Sequence, residues 1–214
     1  MNVVIVGAGG HGRVILEILR LAGQHTVVGF IDADGNLLGT PVGGLPVLGP
    51  VNQLDKLRRQ DVRGVIVAIG DNRIRDSYAN LARQSDLELI NAIHPSAVIS
   101  PTATFGCNVV IAASAVVGTD TQISDSVIIN TGAVVDHECR IGQAVHICPG
   151  VLLAGRVEVE EGAFVGLGAN VLPCLTIGRY ATVGAGAVVI ENVHAATTVV
   201  GVPARVIKTR VDSV

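Results

Sequence analysis

A histidine and a glutamate stand side by side in the middle of the chain, at His137 and Glu138. Histidine titrates near neutral pH, so an accessible imidazole can take a proton from an attacking amine or hydroxyl group. A carboxylate beside the ring can hold its orientation and stabilise its charged form. The pair therefore suits general-base chemistry. The alternative is a solvated surface histidine, with Glu138 paired only to Arg156.

A second group of residues with possible chemistry lies near the N-terminus, in the segment Gly7-Ala-Gly-Gly-His-Gly12. An apolar strand at 2–6 precedes it, and a helical pattern at 13–22 follows it. A second strand at 27–31 ends at Asp32. This order is typical of nucleotide-binding domains, because glycines let the backbone approach a phosphate and the helix N-terminus offers it N–H groups. A tight strand-to-helix turn without a ligand is the alternative.

The element that must position His137 is a six-residue repeat. Every sixth residue from Ile99 to Val189 is large and apolar, and a small or apolar residue lies two positions before each of them. A period of six fits neither the 3.6-residue turn of an α-helix nor the hairpins of a flat sheet. It predicts a β-solenoid with about five coils of about 18 residues, stacked roughly 4.8 Å apart.

The repeat also places the candidate residues. His137 takes an outward phase between Thr119 and Gly155, and the glycine is expected to leave space for a ligand beside the imidazole. Asn130 lies earlier in the same coil, around a corner, and His146 faces another side. Outward apolar residues that share one phase predict contacts between several solenoids; they are Val110, Val116, Ile128, Val134 and Leu152.

The repeat and the segment Asn130-Thr-Gly-Ala-Val-Val-Asp-His137-Glu138-Cys-Arg-Ile-Gly resemble the left-handed β-helix acyltransferases. Within that group, the chain resembles the bacterial sugar acetyltransferases of the PglD/NeuD type, which acetylate amino sugars or sialic acid. The resemblance implies a left-handed solenoid, a homotrimer with clefts between neighbouring solenoids, and acetyl-CoA as co-substrate. It implies that His137 is the base, and that Glu138 and Asn130 orient it or the substrate.

The resemblance also implies binding positions for both substrates. His146, Gly155 and Gly166 correspond to acetyl-CoA contacts, and Arg205 and Lys208 could meet the CoA phosphates or stay solvated. In the family, a half-sized α/β domain binds the nucleotide of a nucleotide-linked sugar. The corresponding positions here are Gly9, Gly10, His11, Gly12, Asp32, Gly70, Asp71, Asn72 and Arg75.

One position departs from the family pattern. Family members often carry a second carboxylate directly after the first, whereas this chain has Ala33 there and Asp34 one residue further on. A domain of about ninety residues with three or four parallel strands holds a mononucleotide more comfortably than NAD, which argues against an NAD-dependent oxidoreductase.

The predicted organisation is an α/β Rossmann-like half domain at 1–93, an all-β left-handed parallel β-helix at 94–197 and a C-terminal tail at 198–214. Pro95 marks the boundary, because proline disfavours helix in the residue before it. Further elements are expected in the first domain. They are helices near 51–59 and 74–84, a strand near 64–69 and a Gly- and Pro-rich surface loop at 35–50.

Composition and charge limit the kinds of molecule that this protein is expected to bind. A formal net charge of −3 gives no basic surface for nucleic acid or an anionic membrane. The N-terminus shows no signal-peptide pattern and no apolar run reaches membrane length, so a cytoplasmic location is expected. The cysteines lack zinc-ligand spacing, and Cys139 is expected to pack in the core. The solenoid histidines lack the close pair of the β-helix carbonic anhydrases, so no metal is expected.

The predicted function is acetyl-CoA-dependent N-acetylation of the 4-amino group of a nucleotide-linked 4-amino-4,6-dideoxy sugar, for bacterial surface glycan or glycoprotein biosynthesis. The amine would attack the thioester directly. O-acetylation of sialic acid or another sugar hydroxyl is the alternative, since a histidine base suits both acceptors. A non-enzymatic scaffold that senses nucleotides through the N-terminal domain is a further alternative.

Overall fold

The computed structural model describes residues 1–58 and 61–209. The chain divides into two compact units, the first from Met1 to Pro95 and the second from Ser96 onward. None of the helices in this described part is both long and apolar enough to cross a lipid bilayer.

The first unit is an α/β domain with a largely parallel sheet in the order β3-β4-β2-β1-β5-β6. The strands of this unit are β1 (Asn2–Val6), β2 (Thr26–Ile31), β3 (Pro41–Val42), β4 (Leu45–Gly49), β5 (Gly64–Val67), β6 (Glu88–Leu89) and β7 (Ala92–Ile93). The α-helices are α1 (Gly10–Ala22), α2 (Leu54–Leu57) and α3 (Asn72–Gln84), and 3₁₀ turns cover Gly35–Leu37 and Val51–Gln53. The predicted end of the second helix at Arg59 lies outside the described residues.

The central strand of this sheet is β1, whose residues from Val3 to Val6 are completely buried. It pairs in parallel with β2 on one side and with β5 on the other. A strand covered on both faces explains the uninterrupted apolar run in the sequence. The chain leaves β1 toward β2 and later crosses to β5, so the connections diverge at the carboxyl end of β1. In open α/β sheets, ligands bind at that point.

The stretch at 35–50 is not the surface loop that its glycines and prolines suggest. Its residues form the antiparallel hairpin of β3 and β4, and β4 pairs in parallel with β2. The hairpin attaches to the sheet because Val42 and Val47 bury their side chains, at 6% and 2% exposure. Gly43 and Gly44 supply the positive φ angles of the turn, so the glycines serve a hairpin.

The second unit is a parallel β-solenoid, as the repeat predicts. Residues 18 positions apart pair in register, for example Val116 with Val134 and Val134 with Leu152. The first face contains β8 (Val98–Ile99), β11 (Val116–Val117), β14 (Val134–Val135), β17 (Leu152–Leu153), β20 (Asn170–Val171) and β23 (Val188–Val189). The second contains β9 (Thr104–Phe105), β12 (Gln122–Ile123), β15 (Arg140–Ile141), β18 (Glu158–Val159) and β21 (Thr176–Ile177).

The third face contains β10 (Val110–Ile111), β13 (Ile128–Ile129), β16 (His146–Ile147), β19 (Phe164–Val165), β22 (Thr182–Val183) and β24 (Thr197–Val200). Strand β25 (Arg205–Thr209) pairs antiparallel with β24. The first part of the predicted tail therefore forms a β-hairpin that extends this face, and residues 210–214 lie outside the described part of the chain.

The large apolar ladder fills the solenoid interior, and the corners obey a second rule. Every sixth residue from Asn108 to Gly186 has a positive φ, between 54° and 68°. At most of these corners, the residue donates its N–H to a carbonyl in the preceding coil, as Glu138 does to Thr119 at 2.7 Å and Gly168 to Pro149 at 3.0 Å. The left-handed conformation thus links each coil to its neighbour.

The outward apolar residues do not share one environment. Leu152 and Val98 on the first face are 47% and 63% exposed, whereas Val110 and Ile128 on the third face are completely buried. The phase of a residue determines which way its side chain points, but not what covers it. The prediction of an open apolar phase therefore holds for Leu152, holds in part for the half-buried Val116 and Val134, and is wrong for Val110 and Ile128.

The corner rule predicts the effect of a single methyl group. A Cβ added at Gly168 would meet nothing within 4 Å, so the cost of Gly168→Ala is that of the left-handed backbone alone. We expect a loss of about 1–2 kcal/mol in the free energy of unfolding, measured by urea denaturation. Gly168→Asn is the matched control and should lose less, because asparagine tolerates this conformation. Equal stability of the Ala variant and the wild type would contradict the corner rule.

Candidate active site

The His137 and Glu138 side chains meet at an exposed corner of the solenoid, between β14 and β15. Nδ1 of His137 lies 3.0 Å from Oε2 of Glu138, and the same carboxylate oxygen accepts a hydrogen bond from Nε of Arg156 at 3.0 Å. About half of each of the His137 and Glu138 side chains is exposed. The imidazole is therefore accessible to a substrate and oriented through its Nδ1.

Gly155 lies directly beneath this imidazole. A Cβ built on Gly155 would clash with the His137 ring, within 2.5 Å of Cε1. The glycine was expected to leave a gap for a ligand, but the ring itself occupies that space. Absence of a side chain at Gly155 thus lets the imidazole lie flat across the next coil, which restrains the ring together with its bond to Glu138.

Electrostatics favour an ionised Glu138. Hydrogen bonds from His137 and then from Arg156 lower the pKa of the Glu138 carboxyl below its usual value. The same contact with Glu138 raises the pKa of the Arg156 guanidinium. At neutral pH, Glu138 is an acceptor only, so the proton on the facing ring nitrogen belongs to Nδ1 of His137. This arrangement leaves Nε2 as the basic nitrogen.

Asn130 contacts His146, not His137. Its Oδ1 accepts the backbone N–H of Thr131 at 2.8 Å, which turns Nδ2 toward Nε2 of His146, 3.2 Å away. The His146 side chain is 9% exposed and packs edge-on against Phe164, with ring centroids 5.3 Å apart. The family resemblance implies that Asn130 orients His137 or the substrate. Asn130 instead holds the second histidine, because the corner after β13 lies beside β16.

The other positions assigned to acetyl-CoA lie further along the solenoid. A Cβ at Gly166 would meet backbone atoms of the next coil, 2.7 Å from the Val183 carbonyl oxygen, so close coil stacking requires a glycine at this position. Arg205 binds Glu191 at 3.2 Å, and Lys208 is exposed on β25. Within the described residues of one chain, no hydrogen bond or ion pair joins any of these three residues to His137.

In the first unit, the predicted nucleotide residues gather at the carboxyl edge of the sheet. Gly9 precedes α1 and Gly10 begins it, and a Cβ at either residue would meet nothing within 4 Å. Gly12 is different, because a Cβ there would clash with the Gly7 carbonyl. The exposed turn at Gly9 and Gly10 thus offers accessible backbone at a helix N-terminus, whereas Gly12 serves close packing of α1 on the turn.

The polar residues at this edge are largely committed to the protein itself. Asp32 accepts the N–H of Ala8 at 2.7 Å through Oδ2 and that of Asp34 at 2.9 Å through Oδ1. Asp71 caps the N-terminus of α3 by accepting the N–H of Ile74 at 2.9 Å. Gly70 is exposed between β5 and α3. Asp32, directly after β2, therefore stabilises the glycine turn through its hydrogen bond from Ala8.

Arg75 is completely buried, although the family resemblance implies that it binds the substrate. Its guanidinium donates to the Ile69 carbonyl at 3.0 Å, the Gly70 carbonyl at 3.3 Å and Oδ1 of Asn72 at 2.9 Å. A buried charge needs several such partners. Arg75 and Asn72 therefore hold the loop after β5.

His11 lies close to this buried cation. Its Nε2 is buried without a hydrogen-bond partner among the described residues. Burial, and then the charge of Arg75, lower the pKa of His11 to about 4. His11 is consequently neutral at physiological pH, so it adds no positive charge for a phosphate.

The remaining candidates for chemistry are structural. Sγ of Cys139 donates to the Ala154 carbonyl at 3.3 Å, and burial raises the pKa of this thiol to about 11, which suits core packing and not nucleophilic attack. No three metal-ligating side chains come together in the part of the chain that the structure describes.

A left-handed β-helix with an exposed histidine–glutamate corner, joined to a small α/β domain, defines the class of hexapeptide-repeat acyltransferases with a nucleotide-binding-type domain. Residues 2–82 match the family model of the PglD N-terminal domain. The structure of PerB from Caulobacter crescentus, in complex with CoA and GDP-perosamine, is 46% identical, with a TM-score of 0.93 over 97% of this chain and 98% of that chain.

Other acetyltransferases are also similar to this chain. The acetyltransferase domain of PglB from Neisseria gonorrhoeae is 35% identical, with a TM-score of 0.90 over 96% of this chain and 99% of that chain. The UDP-N-acetylbacillosamine N-acetyltransferase of Bacillus subtilis is 39% identical over 115 residues, which is 52% of this chain and 51% of that protein, so the alignment spans about half of the relative. The chain belongs to the PglD-type family of left-handed β-helix acetyltransferases.

The buried His11 predicts acid sensitivity. The folded protein keeps His11 neutral down to pH about 4, whereas the unfolded chain binds this proton below about pH 6.5. The stabilising contribution is complete above pH 6.5 and is lost as the pH falls toward 4. Between pH 7 and 4.5, the free energy of unfolding of His11→Gln should therefore fall by about 2–3 kcal/mol less than that of the wild type, measured by urea unfolding. His194→Gln, on the exposed solenoid surface, is the control, and identical pH dependence in both variants would contradict the assignment.

Proposed function

We propose that this protein transfers the acetyl group of acetyl-CoA to the 4-amino group of a nucleotide-linked 4-amino-4,6-dideoxy sugar. The observation that carries the proposal is the exposed His137 imidazole, oriented by Glu138 and Gly155 at one corner of the solenoid. The ligands in the PerB complex, CoA and GDP-perosamine, support the same two classes of substrate. The product would serve bacterial surface glycan or glycoprotein biosynthesis, and the cytoplasm remains the predicted location.

The geometry supports a direct transfer. The sugar amine gives a proton to Nε2 of His137 as its nitrogen attacks the thioester carbonyl. Glu138 stabilises the imidazolium that forms, because its ionised carboxylate lies 3.0 Å from Nδ1. The tetrahedral intermediate then loses the CoA thiolate, which takes up the proton from the imidazolium. Each proton and electron pair has a destination, so no covalent acyl-enzyme is required.

Acetyl-CoA is assigned to the solenoid. His146 is proposed to contact it, held by Asn130, while Gly155 and Gly166 provide backbone positions along the pantetheine arm. Arg205 is already paired with Glu191, so the exposed Lys208 is the more available cation for the CoA phosphates. The family resemblance supports these roles.

The nucleotide is assigned to the first unit. Gly9 and Gly10 offer exposed backbone at the start of α1, where the N–H groups and the helix dipole favour a phosphate. Asp71 and Gly70 lie at the carboxyl edge of the same sheet. Five further residues shape the loops at this edge from within the domain: Arg75, Asn72, Asp32, Gly12 and His11.

The test is a panel of UDP-, dTDP- and GDP-linked 4-amino sugars incubated with acetyl-CoA, with release of free CoA thiol as the signal. Sialic acid and other hydroxyl acceptors in the same panel distinguish N- from O-acetylation.

His137→Ala should lower turnover by about two to four orders of magnitude, with little change in substrate binding. His194→Ala is the matched control on the same solenoid and should keep full turnover. Near wild-type turnover of His137→Ala would rule out the general-base role.

We further propose a homotrimer in which clefts between neighbouring solenoids hold acetyl-CoA. The exposed apolar side chains of the first face, Val98 and Leu152, support a contact between chains. Light scattering should give three times the chain mass, and Leu152→Glu should shift the protein toward monomers by placing a charge in the contact. Gln122→Glu, on the polar second face, is the control. A monomeric wild type at micromolar concentration would contradict the trimer.

A further inference from the structure

Arg156 enters the sequence analysis only as the partner of an ordinary surface ion pair, but its contacts are more specific than that. Its backbone N–H donates to the His137 carbonyl at 2.9 Å, and its Nε donates to Oε2 of Glu138 at 3.0 Å. That oxygen is the one that faces Nδ1 of His137. Arg156 therefore binds both residues of the corner, one through the backbone and one through the side chain.

The solenoid register explains how this arrangement arises. Glu138 and Arg156 occupy the same corner position one coil apart, with φ angles of 58° and 61°. Long side chains seldom adopt this backbone conformation. Because the two corners stack, the guanidinium and the carboxylate leave the backbone side by side, and one carboxylate oxygen serves two donors.

We propose that Arg156 is a positioning residue of the active site, which fixes the Glu138 carboxylate so that one oxygen is shared between the guanidinium and the His137 imidazole. This inference rests on the proposed function, in which His137 is the base. The shared oxygen divides the attraction of Glu138 between two cations whenever the ring is protonated. Arg156 also places a positive charge near the ring, with only the Glu138 carboxylate between them. Loss of the guanidinium would leave the shared oxygen to the ring alone and would remove one positive charge from the corner.

Three other titratable groups lie near this corner. The carboxylate of Asp136 accepts the backbone N–H of His137 itself at 2.8 Å. Cys174 occupies the corresponding corner one coil beyond Arg156. Asp120 occupies the corresponding corner one coil before Glu138. All three remain in place when Arg156 is changed, so a substitution there isolates the guanidinium.

The experiment is an NMR titration of the His137 ring in the full-length protein, for the wild type and for Arg156→Gln. Loss of the guanidinium should move the midpoint of the titration upward by about 0.3–0.7 pH unit, the range expected for an exposed ion pair. The acid limb of kcat/KM should move with it, while the KM for acetyl-CoA stays unchanged. Arg156→Lys keeps the charge and should return the midpoint to within about 0.2 unit of the wild type.

The matched control is Arg179→Gln. Arg179 pairs with Glu161 at 2.6 Å, with the same separation of 18 residues along the chain, and its side chain is as exposed as that of Arg156. This variant should leave the His137 midpoint in place. A midpoint in Arg156→Gln that equals the wild type, or lies below it, would overturn the proposal. A shifted midpoint in a protein that releases no thiol with any acceptor supports the positioning role while the proposed function itself fails.

Discussion

Hydrogen bonding between successive coils is the constraint on which the solenoid and its site depend. Each short strand pairs with residues 18 positions away, and the left-handed corners add N–H bonds to the preceding coil. A polar group in the backbone that failed to find this partner would be costly. The register therefore cannot slip by single residues. This rigidity is what places His137 over Gly155 and Glu138 beside Arg156, although these residues are 18 apart in the chain.

The two units solve the same electrostatic problem in opposite ways. The corner of the solenoid keeps its charges exposed and lets them share one carboxylate oxygen, so that each ion stays solvated. The α/β unit instead buries the cation of Arg75 and satisfies it with carbonyl oxygens and an amide. The first arrangement can respond to a substrate proton. The second organises a loop, and its own charge is not available at the surface. Burial, and then the charge of Arg75, lower the pKa of His11.

How much the sequence can predict depends on how regular the element is. The six-residue ladder predicts the solenoid and the outward direction of His137, because direction follows from phase. Phase does not reveal which side chains touch. Hence Asn130 was expected near His137 but holds His146, and Gly155 was expected to leave a gap that the imidazole fills. In the first unit, the family resemblance assigned Arg75 to the nucleotide, and the sequence does not reveal that this side chain is buried.

The left-handed corners have a consequence for the evolution and redesign of this protein. Glu138 occupies a corner position where glycine would fit the backbone with less strain, as glycine does at Gly132 and Gly150, the preceding and a following corner of the six-residue series. A mutant selected only for thermal resistance would tend to acquire glycine at this position, and it would fold well without the carboxylate that orients the histidine. Screens for robustness alone would thus favour proteins that keep the fold while losing the proposed catalytic corner.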